Sequence, residues 1–292
     1  MPTAAPDDRF MKLSAIGLEH LARAGLAARG AVYLMVGGLA VLAAVGSGGG
    51  VGGGGSALRS LLGHPLGALP LAAIGLGLVA FSAWRLTNAA FDGDRHGASP
   101  KGLGTRAVHV LSGIVNGGLA VTAFSLAFGV GRRGGDNDAA QDWTAWLLTQ
   151  PFGRWLVAIV GAGIVGAGLF HFWKVWRGDM LKRLSVPPER RHLALTLGRI
   201  GYAARGLTFL IIGGFLLIAA LHSDSSEARG LGGALEALRE QPVGWALLAV
   251  VAAGLAAFGA FGFAQARWRR IEALDLGDAR QTIDALARRA SA

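Results

Sequence analysis

Arg29, His109 and Arg205 occupy matching places in three similar stretches of the chain, and a basic residue repeated at one position is the pattern that builds a ring of positive charge. Three such groups could gather an anion, most simply a lipid phosphate, or rim the inner mouth of a vestibule. The simpler role is anchoring, because long basic side chains near a helix end reach for headgroups. Asn116 and His171 are the other candidates: polar side chains set in apolar runs, as are Thr122 and Ser125. There, hydrogen bonding to a neighbouring helix is the ordinary role and a functional intramembrane polar group the sharper one.

The remaining chemistry-bearing residues do not assemble into a reaction centre. Asp136, Asp138 and Asp142 invite calcium, but their spacing lacks the turn glycine and terminal glutamate of an EF-hand loop, so a solvated acidic tip is expected. His20, His96 and His192 have no acid or nucleophile at useful spacing. The glycine-rich stretch 46–56 lacks the Lys-Ser/Thr ending of a phosphate cradle and reads as a flexible linker. There is no HExxH, no Walker loop and no nucleophile elbow, and the absence of cysteine removes thiolate chemistry and disulfides. No catalytic residue, no metal ligand and no cofactor is therefore expected, and the chain is not expected to be an enzyme.

The elements that would carry the candidates follow from composition. Of 292 residues, 52% are hydrophobic and only 16% charged, with a mean hydropathy of +0.46. The apolar residues cluster into six runs, at 26–46, 66–84, 107–130, 155–173, 200–221 and 245–264, each long enough to cross a hydrocarbon core of roughly 30 Å. Without water at the bilayer centre, such runs must be helices. No Asp or Glu falls in any of them, which counts against a proton- or cation-coupled carrier.

The formal charge of +10 would suggest nucleic acid in a soluble protein, but its placement suggests a membrane: 22 of the 28 Lys and Arg lie in the termini and alternate loops. Both termini are therefore expected in the cytoplasm, with three hairpin tips outside and no nucleic-acid partner. Trp84, Trp155, Trp173, Trp176, Trp245 and Trp268 lie near helix ends and read as interfacial depth markers. No signal peptide is expected at the amino end. The tail mixes arginines with Ile271, Leu274, Ile283 and Leu286 as an amphipathic helix would, lying along the inner leaflet.

The runs are also repeated. Arg23-Ala-Gly25 and Arg29-Gly30 recur 176 residues later as Arg199-Ile-Gly201 and Arg205-Gly206, with Gly37-Gly38 in register with Gly213-Gly214. The middle copy keeps Gly117-Gly118 but has His109-Val110 in place of Arg-Gly. Before each even-numbered span stands a shared signature: His64-Pro65-Leu66-Gly67, Gln150-Pro151-Phe152-Gly153 and Gln241-Pro242-Val243-Gly244. Its proline is expected in the first turn of the following helix, capped by the preceding polar side chain. Short amphipathic stretches ahead of the signatures, 57–62, 143–148 and 234–238, are expected to rest on the outer membrane surface. Gly113 and Gly117 at GxxxG spacing, and Gly161, Gly163, Gly166 and Gly168, predict close helix packing, with pore lining the alternative.

Through the Arg-x-Gly and Arg-Gly elements, the Gln-Pro-x-Gly signature and the glycine-rich helices, the chain resembles the bacterial membrane family catalogued as domain of unknown function 1206. The resemblance covers about residues 18–270 and implies three tandem two-helix repeats in an inner-membrane protein, with no catalytic residue or substrate to carry over. The expected fold is all-α: six transmembrane helices as three parallel helical hairpins with pseudo-threefold symmetry. The divisions are 1–17 (cytoplasmic segment), 18–94, 95–183 and 184–270 (repeats), and 271–292 (amphipathic tail). A non-enzymatic scaffold or accessory subunit is the expected function, with anionic lipids on the cytoplasmic side and unidentified proteins as partners. A small-solute channel or transporter along the pseudo-threefold axis is the alternative, and a lipid-surface enzyme a weaker third.

Overall fold

The structure, a computed structural model, describes residues 8–63, 66–91, 99–130 and 135–270. Six long helices match the six apolar runs: α1 (Asp8–Ala44), α3 (Ala68–Phe91), α4 (Pro100–Ala127), α6 (Gly153–Arg177), α7 (Pro188–His222) and α9 (Gly244–Trp268). Three short ones lie between them: α2 (Gly54–Ser60), α5 (Asp136–Leu148) and α8 (Leu231–Arg239). No β-strand occurs among the described residues beyond an isolated antiparallel bridge between Leu184 and Arg269. At 1.5 Å per residue, the 37 residues of α1 and 35 of α7 reach roughly 50 to 55 Å, so both project past the hydrocarbon core. The tail expected over 271–292, the first seven residues and His96 lie outside the described residues.

The long helices pack side by side in the order α4, α3, α1, α9, α7, α6. The closest interfaces are α1 with α9, α6 with α7 and α3 with α4, each joining the second helix of one repeat to the first helix of the next around the pseudo-threefold axis. Glycine makes these crossings. A β-carbon on Gly259 would lie 2.5 Å from Leu34 N and 2.6 Å from Gly30 O, and one on Gly168 would lie 2.9 Å from Gly206 O. Side chains there would hold the backbones apart, and in lipid close backbone contact is the main attraction between helices. The third crossing has Ser82 in place of Gly168 and Gly259, and its hydroxyl donates a 2.7 Å hydrogen bond to Gly113 O. The ring is not symmetric throughout: α4 and α6, the two helices of the middle repeat, form no interface comparable to α1 with α3 or α7 with α9.

The hairpin tips pack inward, and one sequence expectation for them is corrected. The short helices turn one face into the end of the ring. Leu58 of α2, Thr144 of α5 and Leu235 of α8, equivalent by repeat, keep only 0, 2 and 0% of their accessible surface. Leu58 and Leu235 join a core with Leu71, Leu78, Leu248 and Leu255. Burying this leucine face removes apolar area from water and so favours the inward packing. The far end of the glycine-rich stretch packs against α8: a β-carbon on Gly232 would lie 3.2 Å from Gly52 Cα and Gly53 N. Asn137 of α5 then accepts the Gly230 and Gly233 N–H groups at 3.0 Å each, tying the second repeat to the third.

The correction concerns the Gln-Pro-x-Gly signature. Pro151 and Pro242 lie two residues before their helices, in the turn rather than in the first helical turn. Gln150 and Gln241 donate from Nε2 back to Trp146 O and Ala237 O of the preceding short helix, 3.2 Å each. The Gly153 and Gly244 N–H groups bond to Gln150 O and Gln241 O at 2.9 and 2.7 Å, closing a four-residue turn with proline second. The third residue is left-handed in all three copies: Leu66, Phe152 and Val243 have φ of 64, 61 and 60°. A valine at this angle costs about 1 to 3 kcal/mol. Val243→Asn, which tolerates the conformation, is therefore expected to stabilise the protein by about 1 kcal/mol. A lower melting temperature than wild type in detergent would refute that expectation.

At the opposite end, arginines fasten neighbouring repeats. Arg23 donates to Ala266 O and Arg267 O at 2.6 and 2.8 Å, capping α9, and Arg106 donates to Ala89 O and Ala90 O at 2.7 and 3.2 Å, capping α3. Each satisfies carbonyls that a helix end leaves unpaired. Trp84 differs from the interfacial expectation: it is buried, with the Arg85 and Arg269 guanidiniums 5.1 and 4.8 Å from its ring. Trp155, Trp173, Trp176 and Trp245 remain exposed on the helix ends, as expected of an aromatic belt.

Candidate functional site

The two Arg-Gly elements do two jobs at once. Gly30 and Gly206 let α1 and α7 press against α9 and α6, and the arginine beside each is thereby held between helices rather than extended to solvent. Each guanidinium lies by the aromatic ring one turn later on its own helix, Arg29 at 5.6 Å from the Tyr33 centroid and Arg205 at 4.8 Å from Phe209. The two also share rings. Phe258 of α9 is 5.2 Å from Arg29 and 4.8 Å from Arg205, and Tyr33 is 5.2 Å from Arg205. Phe81 of α3 completes the surround of Arg29 at 5.3 Å.

The third cation comes from α6. Lys174 Nζ donates to the Tyr202 hydroxyl at 3.1 Å and lies 4.3 Å from that ring's centroid. Tyr202 packs edge-on against Phe258, with centroids 5.3 Å apart, and His171 bridges Tyr202 and Phe209 at 5.2 and 5.3 Å. The chain's two tyrosines are thus both in this cluster. Arg29, Arg205 and Lys174 form no ion pair with a carboxylate among the described residues. Each ring contact offsets about 0.5 to 2 kcal/mol of the cost of burying the charge. It supplies no hydrogen-bond acceptor: Arg205 Nε and Nη1 are buried without one among the described residues. Buried donors on a cation call for an acceptor with negative charge.

Sequence reasoning located Arg29 and Arg205 by repeat register, and the structure brings them together. His109 is buried on α4 at 7% exposure, but the middle copy offers Gly113 and Ala167 where the outer copies have Tyr33 or Phe209 and Phe81 or Phe258. The aromatic surround is accordingly built from the first and third repeats, and the second contributes through His171 and Lys174. His171 also bonds its own helix: its Nδ1 lies 2.5 Å from Ala167 O, and since a carbonyl only accepts, Nδ1 carries the proton there. Asn116 does not reach a neighbouring helix. Its Nδ2 donates to Ser112 O on its own helix at 2.7 Å, and Thr122 similarly bonds Gly118 O at 3.2 Å.

Lys174, Tyr33, Tyr202 and Phe258 were missed as site residues. The legible signal was the aromatic residue four positions after each arginine. Of the acidic trio, Asp138 accepts the Gly135 N–H at 2.6 Å at the start of α5, and no group of three His, Cys, Asp or Glu suited to a metal occurs among the described residues. His20 and His192 do not alter this.

The six apolar spans, their pairing around a pseudo-threefold axis and the shared hairpin signature define a multi-pass α-helical membrane protein of three tandem two-helix repeats. The chain belongs to the family described as Domain of Unknown Function (DUF1206), which it matches in three tandem segments, residues 24–92, 107–178 and 200–269. It is 34% identical over 247 residues to "Uncharacterized protein YxxB" of Bacillus subtilis (strain 168), covering 84% of this chain and 88% of that protein. No solved structure matches.

Proposed function

We propose that this protein is a non-enzymatic scaffold of the bacterial plasma membrane that seats an anionic lipid headgroup on Arg29, Arg205 and Lys174. The observation that carries the reading is the acid-free grouping of three cations with two orphaned guanidinium donors on Arg205. A phosphodiester supplies both the charge and the acceptors that Arg205 Nε and Nη1 lack. The cluster lies toward the end of the helices that carries both termini, and 22 of 28 basic residues sit on that side. The positive-inside rule then puts both termini in the cytoplasm and the cluster in the anionic inner leaflet.

A one-sided site is favoured over the small-solute channel by the opposite end of the ring, where Leu58, Leu71, Leu235 and Leu248 are all at 0% exposure. Bound lipid would fix the relative positions of α1, α6, α7 and α9, the helices a protein partner would meet. The test is native mass spectrometry of the full-length protein released from membranes in mild detergent. Wild type is expected to retain phosphatidylglycerol or cardiolipin, and Arg29→Gln with Arg205→Gln to lose it. Equal lipid retention in both, or none in either, would overturn the reading and move the channel, tested by flux in proteoliposomes, to first place.

A further inference from the structure

Outside the spans, where the connection from α6 to α7 meets the end of α9, the chain forms an open basic pocket of about 440 Å³. Gly178, Asp179, Lys182, Ser185, Arg191 and Arg270 line it. Its walls are fixed by main-chain bonds: the Ser185 N–H donates to Trp268 O at 2.8 Å, and the Arg270 N–H donates to Arg183 O at 2.9 Å, on either side of the Leu184–Arg269 bridge. Beside it, Met180 anchors the connection, buried against the group containing Phe261 and Ala264. Such a lacing fixes the backbone that carries the lining side chains, which lowers the ordering cost of binding.

The polar groups are unevenly balanced. The single acid, Asp179, is already engaged by Lys182 Nζ at 2.8 Å and faces Arg177 Nε at 3.9 Å. Arg270 donates from Nε to Ser185 Oγ at 2.7 Å, which leaves the serine proton and the outer nitrogens of Arg270 for another acceptor. No carboxylate pairs with Arg191 or Arg270 among the described residues. Two guanidinium forks with a hydroxyl donor, on a cavity within the usual size range for small ligands, match a phosphoryl group better than a monodentate anion.

We infer that this cavity binds a phosphate-bearing group through Arg191, Arg270 and Ser185, separately from the intramembrane cluster. The same chemistry is offered by a soluble phosphorylated compound and by a lipid headgroup reaching from the membrane surface. Full-length protein in phosphatidylcholine nanodiscs, titrated calorimetrically with inorganic pyrophosphate, reads the first source. Native mass spectrometry of nanodiscs containing phosphatidic acid reads the second. Arg191→Gln and Arg270→Gln are each expected to weaken binding about tenfold in whichever arm shows it, the lipid arm being read in the Arg29→Gln, Arg205→Gln background so that the intramembrane cluster does not contribute, while Arg239→Gln at the opposite end leaves it unchanged. The main-chain bonds of Arg270 survive its substitution, so melting temperatures without ligand should agree with wild type. If Arg270→Gln fails that control, Arg191→Gln and Ser185→Ala carry the test. Binding in neither arm, or binding indifferent to these side chains, would overturn the inference.

Discussion

Gly259→Leu is expected to cost at least about 3 kcal/mol and to leave little folded protein in mild detergent. Overpacking a well-filled interior costs about 1 to 3 kcal/mol when side chains can shift. Here the obstacles are backbone: Leu34 N and Gly30 O lie 2.5 and 2.6 Å from where a β-carbon would stand. The helices must separate along the closest contact in the ring, and Arg29, adjacent to Gly30, would move with them. Gly38→Ala is the control, because nothing lies within 4 Å of its β-carbon position. It is expected to be neutral or stabilising by up to about 1 kcal/mol, the ordinary gain from removing a helical glycine. Gly113→Ala falls between, since its obstacle is the Leu86 side chain, which can rotate. Thermal unfolding by size-exclusion recovery measures all three, and equal melting for Gly259→Leu and Gly38→Ala would sink the account of the crossings.

Arg205→Met should have the opposite sign: in phosphatidylcholine alone it is expected to stabilise the fold by about 1 to 2 kcal/mol. An apolar side chain of similar length replaces a buried cation whose Nε and Nη1 lack acceptors, and replacing buried charge by apolar packing is often stabilising by about 1 to 4 kcal/mol. Loss of the ring contacts with Phe209, Phe258 and Tyr33 reduces that gain. Adding phosphatidylglycerol should raise the melting temperature of wild type by mass action and leave the variant unmoved. A cation that costs stability fits the trade-off in which a functional site is held at the expense of the fold. A variant less stable than wild type in neutral lipid would mean that the guanidinium is already satisfied, and the lipid reading would lose its basis.

These contrasts show where the sequence was informative. Apolar runs near 20 residues admit one backbone solution in lipid, so six helices followed from hydrophobicity alone. The tandem repeats followed from Arg29-Gly30 and Arg205-Gly206 standing at one register. That same register pointed to His109 as the third member of the cluster, whereas Lys174 and His171 of α6 surround Tyr202 instead. Register ranks equivalent positions; it does not say whether the aromatic partners recur, and in the middle copy Gly113 and Ala167 have no ring to offer. Asn116 shows the same limit, since a polar residue in an apolar helix can bond backward to its own carbonyl as well as outward.

The number of spans, their helical state, their tandem repetition and the side on which basic charge accumulates were determined by the sequence itself, because length, polarity and register are local properties read against a uniform solvent. Tertiary structure alone decided that the closest crossings join successive repeats, that α2 and α8 fill one end of the ring, and that Lys174 joins the two arginines. The physical reason is that each depends on which surfaces meet: a glycine permits a crossing without naming its partner, and an amphipathic helix suits a membrane surface as well as a protein core.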